Sequence, residues 1–221
     1  GENFMSALQG RSVLVTGSTS GIGAAIAEAF CRAGCNVMLN GFGAAEDIEA
    51  LRQRLASEYG VCVCFHGADL TRENEIDALI EATREQIGDV DVLVNNAGTQ
   101  HVSPVEDFPT EKWELILRLN LTAAFLATKQ VVPRMKQKGW GRIINIASAH
   151  GLIASPYKSA YVSAKHGLLG FTKTVALEVA EHGVRINAIC PGYVRTPLVE
   201  SQIADTARVR GMSEQDVIQK V

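Results

Sequence analysis

No run of apolar residues in this chain approaches the roughly 18 that a membrane-crossing helix needs. Gly, Asn or a charged residue interrupts each one first, so no membrane span is expected. Positive charge is not in excess either: 21 Lys and Arg face 24 Asp and Glu. A net charge of −3 leaves no basic footprint for a nucleic acid. The opening residues, GENFMSALQG, carry no basic stretch leading into an apolar one, so they do not read as a secretion signal. There is no Cys-x-x-Cys pair among the five cysteines. An odd cysteine count without a secretion signal points to reduced thiols in the cytoplasm. Cys62, Cys64 and His66 alternate in VCVCFHG and would share one face of a strand. With no second cluster to complete a metal site, they read as small buried side chains, and no metal is expected. Finally, no linker, composition change or short repeat divides the chain, so its 221 residues read as one domain, 1–221.

What is present is an alternation. Hydrophobic residues make up 47% and charged residues 20%, enough for a substantial core. Short Val- and Ile-rich runs occur at 12–17, 36–40, 61–65, 90–96, 142–148 and 184–190. Their near-continuous hydrophobicity is that of strands covered on both faces. Between them, longer amphipathic stretches predict helices over 21–33, 44–58, 72–87, 110–138 and 157–182. Strand and helix alternating in this way predict an α/β fold: a doubly wound, mostly parallel sheet in three layers. After PGYVRTPLVES come two polar, helix-like pieces, with no further apolar strand before Val221.

Three short motifs fall where such a sheet binds ligands. TGSTSGIG (16–23) ends the first strand and opens the first helix, with Gly17, Gly21 and Gly23 in a tight cluster. Glycine there lets the backbone turn sharply and approach a ligand, while the helix N-terminus offers free N–H groups to a pyrophosphate. A plain strand-to-helix turn would use glycine too; the position after the first strand favours binding. NNAG (95–98) ends the fourth strand, beside the first in a doubly wound order, at the ligand crevice. Its asparagines can tie strand ends together, and Gly98 leaves room for a cofactor. Asp69, before Leu70, could accept from an adenine amino group or simply cap the next helix. In SAHGLIASPYKSAYVSAKHG (148–167), Tyr161 and Lys165 lie one helical turn apart. An ammonium beside a phenol favours the phenolate, whose free pKa is about 10.

Together TGSTSGIG, NNAG, Asn120 in LNLTAAF, Ser148 in NIASAHG, YVSAK and CPGYVRTP resemble the short-chain dehydrogenase/reductase family along nearly the whole chain. The resemblance implies a Rossmann-type domain, a nicotinamide cofactor and reversible alcohol–ketone chemistry. It makes Tyr161 the acid/base and Ser148 the partner of the substrate oxygen. Lys165 becomes a ribose binder that, with the positive charge of an oxidised nicotinamide, tunes Tyr161 downward, and Asn120 the support of a proton path. The cofactor would lie against Gly17, Thr19, Ser20, Gly21, Ile22 and Gly23, then Phe42, Asp69 and Leu70. Beyond these it would reach Asn96, Ala97, Gly98, Tyr161, Lys165, Pro191, Gly192, Val194 and Thr196. A lid beginning near 193 would close over the substrate. The resemblance also implies one more strand after that lid, which is missing from the chain as read, and a homotetramer.

Cofactor choice turns on charge at the ribose 2′ position, where an NADP enzyme places a cation. Neither LNGFGAAED after the second strand nor Ser18–Ser20 in the glycine loop supplies one, so NAD is expected. Gln100, His150, Lys158 and Gln202 fall outside the general family pattern. A helix starting near Tyr157 would bring Lys158 to the side of Tyr161. A lysine, a histidine and two amides suit a small carboxylate held by charge-assisted hydrogen bonds. GTQH, SAHGLIASPYKSAYVSAKHG and RTPLVESQI are similar to family members that act on a short 3-hydroxy acid. That similarity implies (R)-3-hydroxybutyrate plus NAD giving acetoacetate plus NADH, reversibly. Gln100, His150, Lys158 and Gln202 would bind the carboxylate, with Ser148 and Tyr161 at the hydroxyl. The rival readings are an NADPH-dependent 3-oxoacyl thioester reductase and a non-catalytic NAD-sensing protein. The first would want a base near Ser18–Ser20 or Gly41–Gly43; the second need not keep Ser148, Tyr161 and Lys165 together.

Overall fold

The computed structural model describes residues 7–194 and 196–220; the opening residues 1–6, read above as no secretion signal, lie outside this range. Six strands form one parallel sheet: β1 (Ser12–Val15), β2 (Asn36–Asn40), β3 (Val63–His66), β4 (Val92–Asn95), β5 (Gly141–Ile146) and β6 (Val184–Ile189). Their order is β3-β2-β1-β4-β5-β6, the doubly wound pattern, with the reversal between β1 and β4. β6 forms one edge of this sheet, and β3 the other. The helices are α1 (Gly21–Arg32), α2 (Ala45–Tyr59), α3 (Glu73–Ile87), α4 (Thr110–Leu117) and α5 (Ala123–Lys138). α6 (Ser159–Val179), α7 (Pro197–Arg210) and α8 (Glu214–Lys220) complete the described chain.

Strand pleating divides the core into two. Leu14, Met38, Leu93, Ile143 and Ile186 point to one face, where α3, α5 and α6 cover them. Val13, Val15, Val37, Leu39, Val92 and Val94 point to the other, under α1 and α2. This is why the strands read as unbroken apolar runs.

The run-based reading undercounts one segment. Residues 110–138 form a stretch long and apolar enough, by length and composition, to cross a membrane. Here it is a core helix, with Ala123, Leu126, Ala127, Val131 and Met135 packed on the sheet. It is also not a single α-helix, because Arg118–Thr122 forms a π turn between α4 and α5. The predicted helix from 157 starts two residues later. Tyr157 sits in the left-handed region (φ 67), which a bulky side chain rarely adopts, and Lys158 is the N-cap.

The cysteine reading needs amending. Cys62 lies just outside β3 and is exposed, while Cys64 is half-buried, so the pair is not fully packed. Their sulfurs stand 3.7 Å apart, and among the described residues no third ligand joins them.

Two helix ends meet backbone to backbone beneath β5 and β6. Gly139 and Gly183, both left-handed, close α5 and the turn before β6. A Cβ on Gly183 would fall 2.0 Å from the Gly139 carbonyl oxygen. Gly60 has the same left-handed backbone, yet nothing lies within 4 Å of its Cβ position. Gly60→Ala should therefore cost only about 1 kcal/mol of conformational strain. Gly183→Ala should cost at least about 2 kcal/mol more, because main chain must move. Urea unfolding midpoints of the two variants measure this difference.

Candidate active site

The carboxyl ends of β1, β4 and β5 are joined by side chains. Asn95 Nδ2 donates to Asn145 Oδ1 at 2.9 Å, and Asn145 Nδ2 donates to Thr172 Oγ1 on α6 at 2.9 Å. Asn96 Nδ2 donates to the carbonyls of Thr16 and Gly17, while Thr16 Oγ1 accepts from the backbone of Asn96 and Ala97. The asparagines thus tie strand ends as their positions predict. Asn40 does the same on the other side, donating to the carbonyls of His66 and Ala68.

These ties shape a cleft of about 370 Å³ across the switch point. Gly17, Thr19, Ser20, Gly21, Ile22 and Gly23 line one end, with Phe42 and Leu70. Asn96, Ala97, Gly98, Pro191, Gly192, Val194 and Thr196 line the rest. The glycines are required by contact: a Cβ on Gly23 would meet the Gly17 carbonyl at 2.1 Å, and one on Gly98 would meet Asn120 Oδ1 at 2.4 Å. Ser20 is the N-cap of α1, but its side chain caps nothing, so the first-turn N–H groups are turned toward a ligand. A dinucleotide fits this cradle of open N–H groups and small residues.

Asp69 is the exception among the predicted cofactor residues. It does not line the cleft; its carboxylate accepts from the backbone and hydroxyl of Thr71 and lies near Arg72. Local turn bonds to Thr71 hold it below its ordinary pKa, and it does not cap α3, whose N-cap is Arg72. Asn40, Gly41, Ala68, Leu119 and Ile146 line the cleft and were not anticipated, because nothing in their type marks them.

The four predicted catalytic residues all line the cleft. Ser148 follows β5 in extended backbone, its Oγ accepting from the His150 N–H at 3.1 Å. Tyr161 lies in the first turn of α6, packed against Ile116, Ala160 and Ala164. Lys165 is buried one turn later and donates to the Ile146 carbonyl at 2.8 Å. Asn120 sits in the π turn, where Nδ2 donates to the carbonyls of Ile116 and Thr99. Its Oδ1 is buried without a partner. The π turn frees a helix carbonyl, and Asn120 occupies it while joining α4 to the loop after β4.

Burial dominates the electrostatics at this pair. Tyr161 is held above its ordinary pKa, chiefly by burial, although the Ser148 side chain offsets part of this. Lys165 Nζ stands 5.5 Å from its ring centroid, and burial lowers the lysine's own pKa to about 8.

Of the predicted substrate residues, Ser148 and Tyr161 line the cleft, while Gln100, His150, Lys158 and Gln202 are not among the residues lining it. The His150 ring packs edge-on against both Tyr161 and Tyr193, with centroids 6.1 Å apart in each case. Lys158 does not reach Tyr161 along a helix face, since it precedes the helix; it turns instead to the Tyr193 hydroxyl at 3.4 Å. It is only 4% exposed, and no acid pairs with it among the described residues. Burial first, then Arg210, lowers its pKa to about 8. Gln100 has a buried Nε2 with no acceptor. Its loop is fastened to the Lys158 segment where the Ser103 N–H meets the Tyr157 carbonyl at 2.9 Å. Gln202 lies half-buried on α7. Tyr193 and Arg210 were not singled out by sequence; both act through contacts across the fold that no local pattern encodes.

This arrangement is that of a nicotinamide-dependent oxidoreductase on a Rossmann-type sheet. The chain belongs to the short chain dehydrogenase family, whose model matches residues 11–207. It is 54% identical over 211 residues to the D-beta-hydroxybutyrate dehydrogenase of Rhizobium meliloti, covering 96% of this chain and 82% of that one. The D-beta-hydroxybutyrate dehydrogenase of Cupriavidus necator is 52% identical over 206 residues, covering 93% and 79%. Among solved structures, an actinorhodin polyketide ketoreductase with NADPH superposes with a TM-score of 0.88 at 37% identity, covering 94% of this chain and 79% of that one.

Burial of Lys158 carries a cost whose sign with pH is fixed. Below pH 8 the lysine is charged in both folded and unfolded chains, and the penalty is complete. Between 8 and 10.5 the unfolded chain binds more protons, so stability rises with pH. Lys158→Met should thus stabilise the fold at pH 7 by up to about 3 kcal/mol. That gain should shrink as pH rises from 8 past 10, as followed by urea unfolding across this range.

Proposed function

We propose that the protein catalyses the reversible oxidation of (R)-3-hydroxybutyrate to acetoacetate with NAD. The observation that carries this reading is Lys158, a buried cation that no acid among the described residues pairs with, linked to Tyr161 through Tyr193 and the His150 ring. A buried charge needs a counter-charge, and a substrate carboxylate supplies one. The unsatisfied Gln100 amide adds a donor, and His150 and Gln202 complete the set proposed to hold that carboxylate. A thioester has no anion for this seat. The D-beta-hydroxybutyrate dehydrogenases, at 52% and 54% identity, support the same reading.

NAD rather than NADP is favoured by charge. Lys165 is the only cation among the described residues lining the cleft, and it lies next to Tyr161 rather than at the Asn40–Phe42 end. A 2′-phosphate would find no base there. Phe42, 70% exposed beside this end, is available to pack on the adenosine.

Oxidising a secondary alcohol removes a hydride and a proton. The bound nicotinamide supplies the hydride acceptor. The chain handles the proton: Tyr161 takes it from the substrate hydroxyl, and Ser148 donates to the same oxygen as it becomes a carbonyl. Lys165, anchored on the Ile146 carbonyl, holds the ribose side and steadies Tyr161. Asn120, with an unfilled Oδ1, accepts from a water through which the proton leaves. In reduction each residue works in reverse.

The setting we infer is the cytoplasm, consistent with five free thiols, and the assembly a homotetramer. Exposed Leu115, Phe125 and Leu177, on α4, α5 and α6, support self-association.

Two measurements test the reading. Tyr161→Phe should abolish turnover while NADH still binds, as followed by fluorescence titration; normal turnover would remove Tyr161 as acid/base. NADH should outperform NADPH with acetoacetate by at least about ten-fold, and acetoacetate should outperform an acetoacetyl thioester. The opposite order on both counts would indicate a 3-oxoacyl thioester reductase.

A further inference from the structure

Three basic side chains from separate segments gather on the side of the fold where the His150 ring packs against Tyr161. His150 comes from the turn after β5, Lys158 from the N-cap of α6, and Arg210 from the last turn of α7. Arg210 acts as a like charge on both others, lowering the pKa of each after burial has done so. The remaining polar group among them is the Tyr193 hydroxyl, held by Lys158.

A basic residue in a last helical turn has an ordinary use, since it complements the helix dipole. Arg208 fills that use in α7, pairing with Asp205 of the same helix at 2.8 Å. Arg210 does something else. Its Nη2 donates to Ser155 Oγ at 3.0 Å, 55 residues away in the loop before α6. Ser155 fixes the guanidinium without neutralising it, three residues ahead of Lys158 and within electrostatic reach of Lys158 and His150. Like charges gathered where water is scarce repel one another, and a single anion between them offsets the repulsion.

We propose that Arg210 is a specificity-determining residue of the carboxylate seat. Together with Lys158, it supplies the charge that ranks a 3-oxo acid above its uncharged ester. This rests on the carboxylate reading given above. The planar guanidinium adds two parallel donors that a lone ammonium lacks. Held by Ser155, it is aimed before substrate arrives, and α7 carries it.

The test uses NADH-dependent reduction of acetoacetate and of methyl acetoacetate, its neutral counterpart. Arg210→Gln should raise KM for acetoacetate about ten-fold and change kcat by less than about three-fold. KM for the ester (or its inhibition constant, if it is not turned over) should stay within about two-fold. Arg210→Lys should recover most of the loss, because it restores charge. Equal losses on acid and ester would make Arg210 a mere fastening of α7 and overturn the proposal, as would a lysine variant no better than glutamine. Lys158→Ala separates the two levels of the argument. If it collapses the acid-to-ester preference while Arg210→Gln leaves that preference intact, only the Arg210 assignment fails. If neither variant alters the preference, the carboxylate reading fails with it.

Discussion

Two lysine ammonium groups have been taken out of water at the carboxyl ends of the strands, and the site is organised around that cost. Lys165 recovers part of it from a main-chain carbonyl, Ile146, which is why it stays fixed beside Tyr161. Lys158 recovers much less, from a long contact to the Tyr193 hydroxyl and a position 5.6 Å over the centroid of the same ring. A desolvated cation is worth most to an anion that arrives already partly stripped of water. The fold therefore holds free energy in reserve at one end of the cleft and spends none at the other, where backbone N–H groups and glycines wait. Binding at the two ends obeys different physics: shape and dipoles for a dinucleotide, net charge for a small acid.

Precision at the reacting end comes from the ladder beneath it. The parallel strands finish at one level because Val92, Leu93 and Val94 are in register with Arg142, Ile143 and Ile144, and with β1 on the other side. Asn95, Asn145 and Thr172 extend that alignment beyond the last main-chain bonds and into α6. Ser148 and Tyr161 reach a common region because the strand that delivers one is bonded to the helix that delivers the other. Burial raises the Tyr161 pKa, and the neighbouring Ser148 side chain offsets part of the rise.

Much of this was legible in the residues. Strands buried on both faces announce themselves as Val and Ile runs, and the three glycines of the first turn have no substitute once Gly23 touches Gly17. The asparagines of NNAG also behaved as a strand-end clamp. What escaped was decided by tertiary contact. Asp69 accepts from the backbone and hydroxyl of Thr71 two residues on, a turn that the type of residue alone does not announce. The start of α6 was misplaced because Tyr157 adopts a left-handed backbone that its side chain disfavours. Spacing puts a lysine four residues after Tyr161 but carries no information about desolvation, which raises the phenol's pKa here. Arg210 was invisible for a similar reason: its partner, Ser155, lies 55 residues back.

The π turn at Arg118–Thr122 has a consequence for how this chain can vary. Such a turn is an α-helix carrying one residue too many, so each residue past it is rotated by about 100° from where a regular helix would put it. α5 faces the sheet with Ala123, Leu126, Ala127 and Val131 only because of that extra residue. Excising a single position here would restore regular hydrogen bonding and, in the same stroke, swing the apolar stripe off the core. The helix cannot be straightened without unseating its buried face. An irregularity that holds one asparagine in the cleft is thereby locked in place by the packing of four turns of helix behind it.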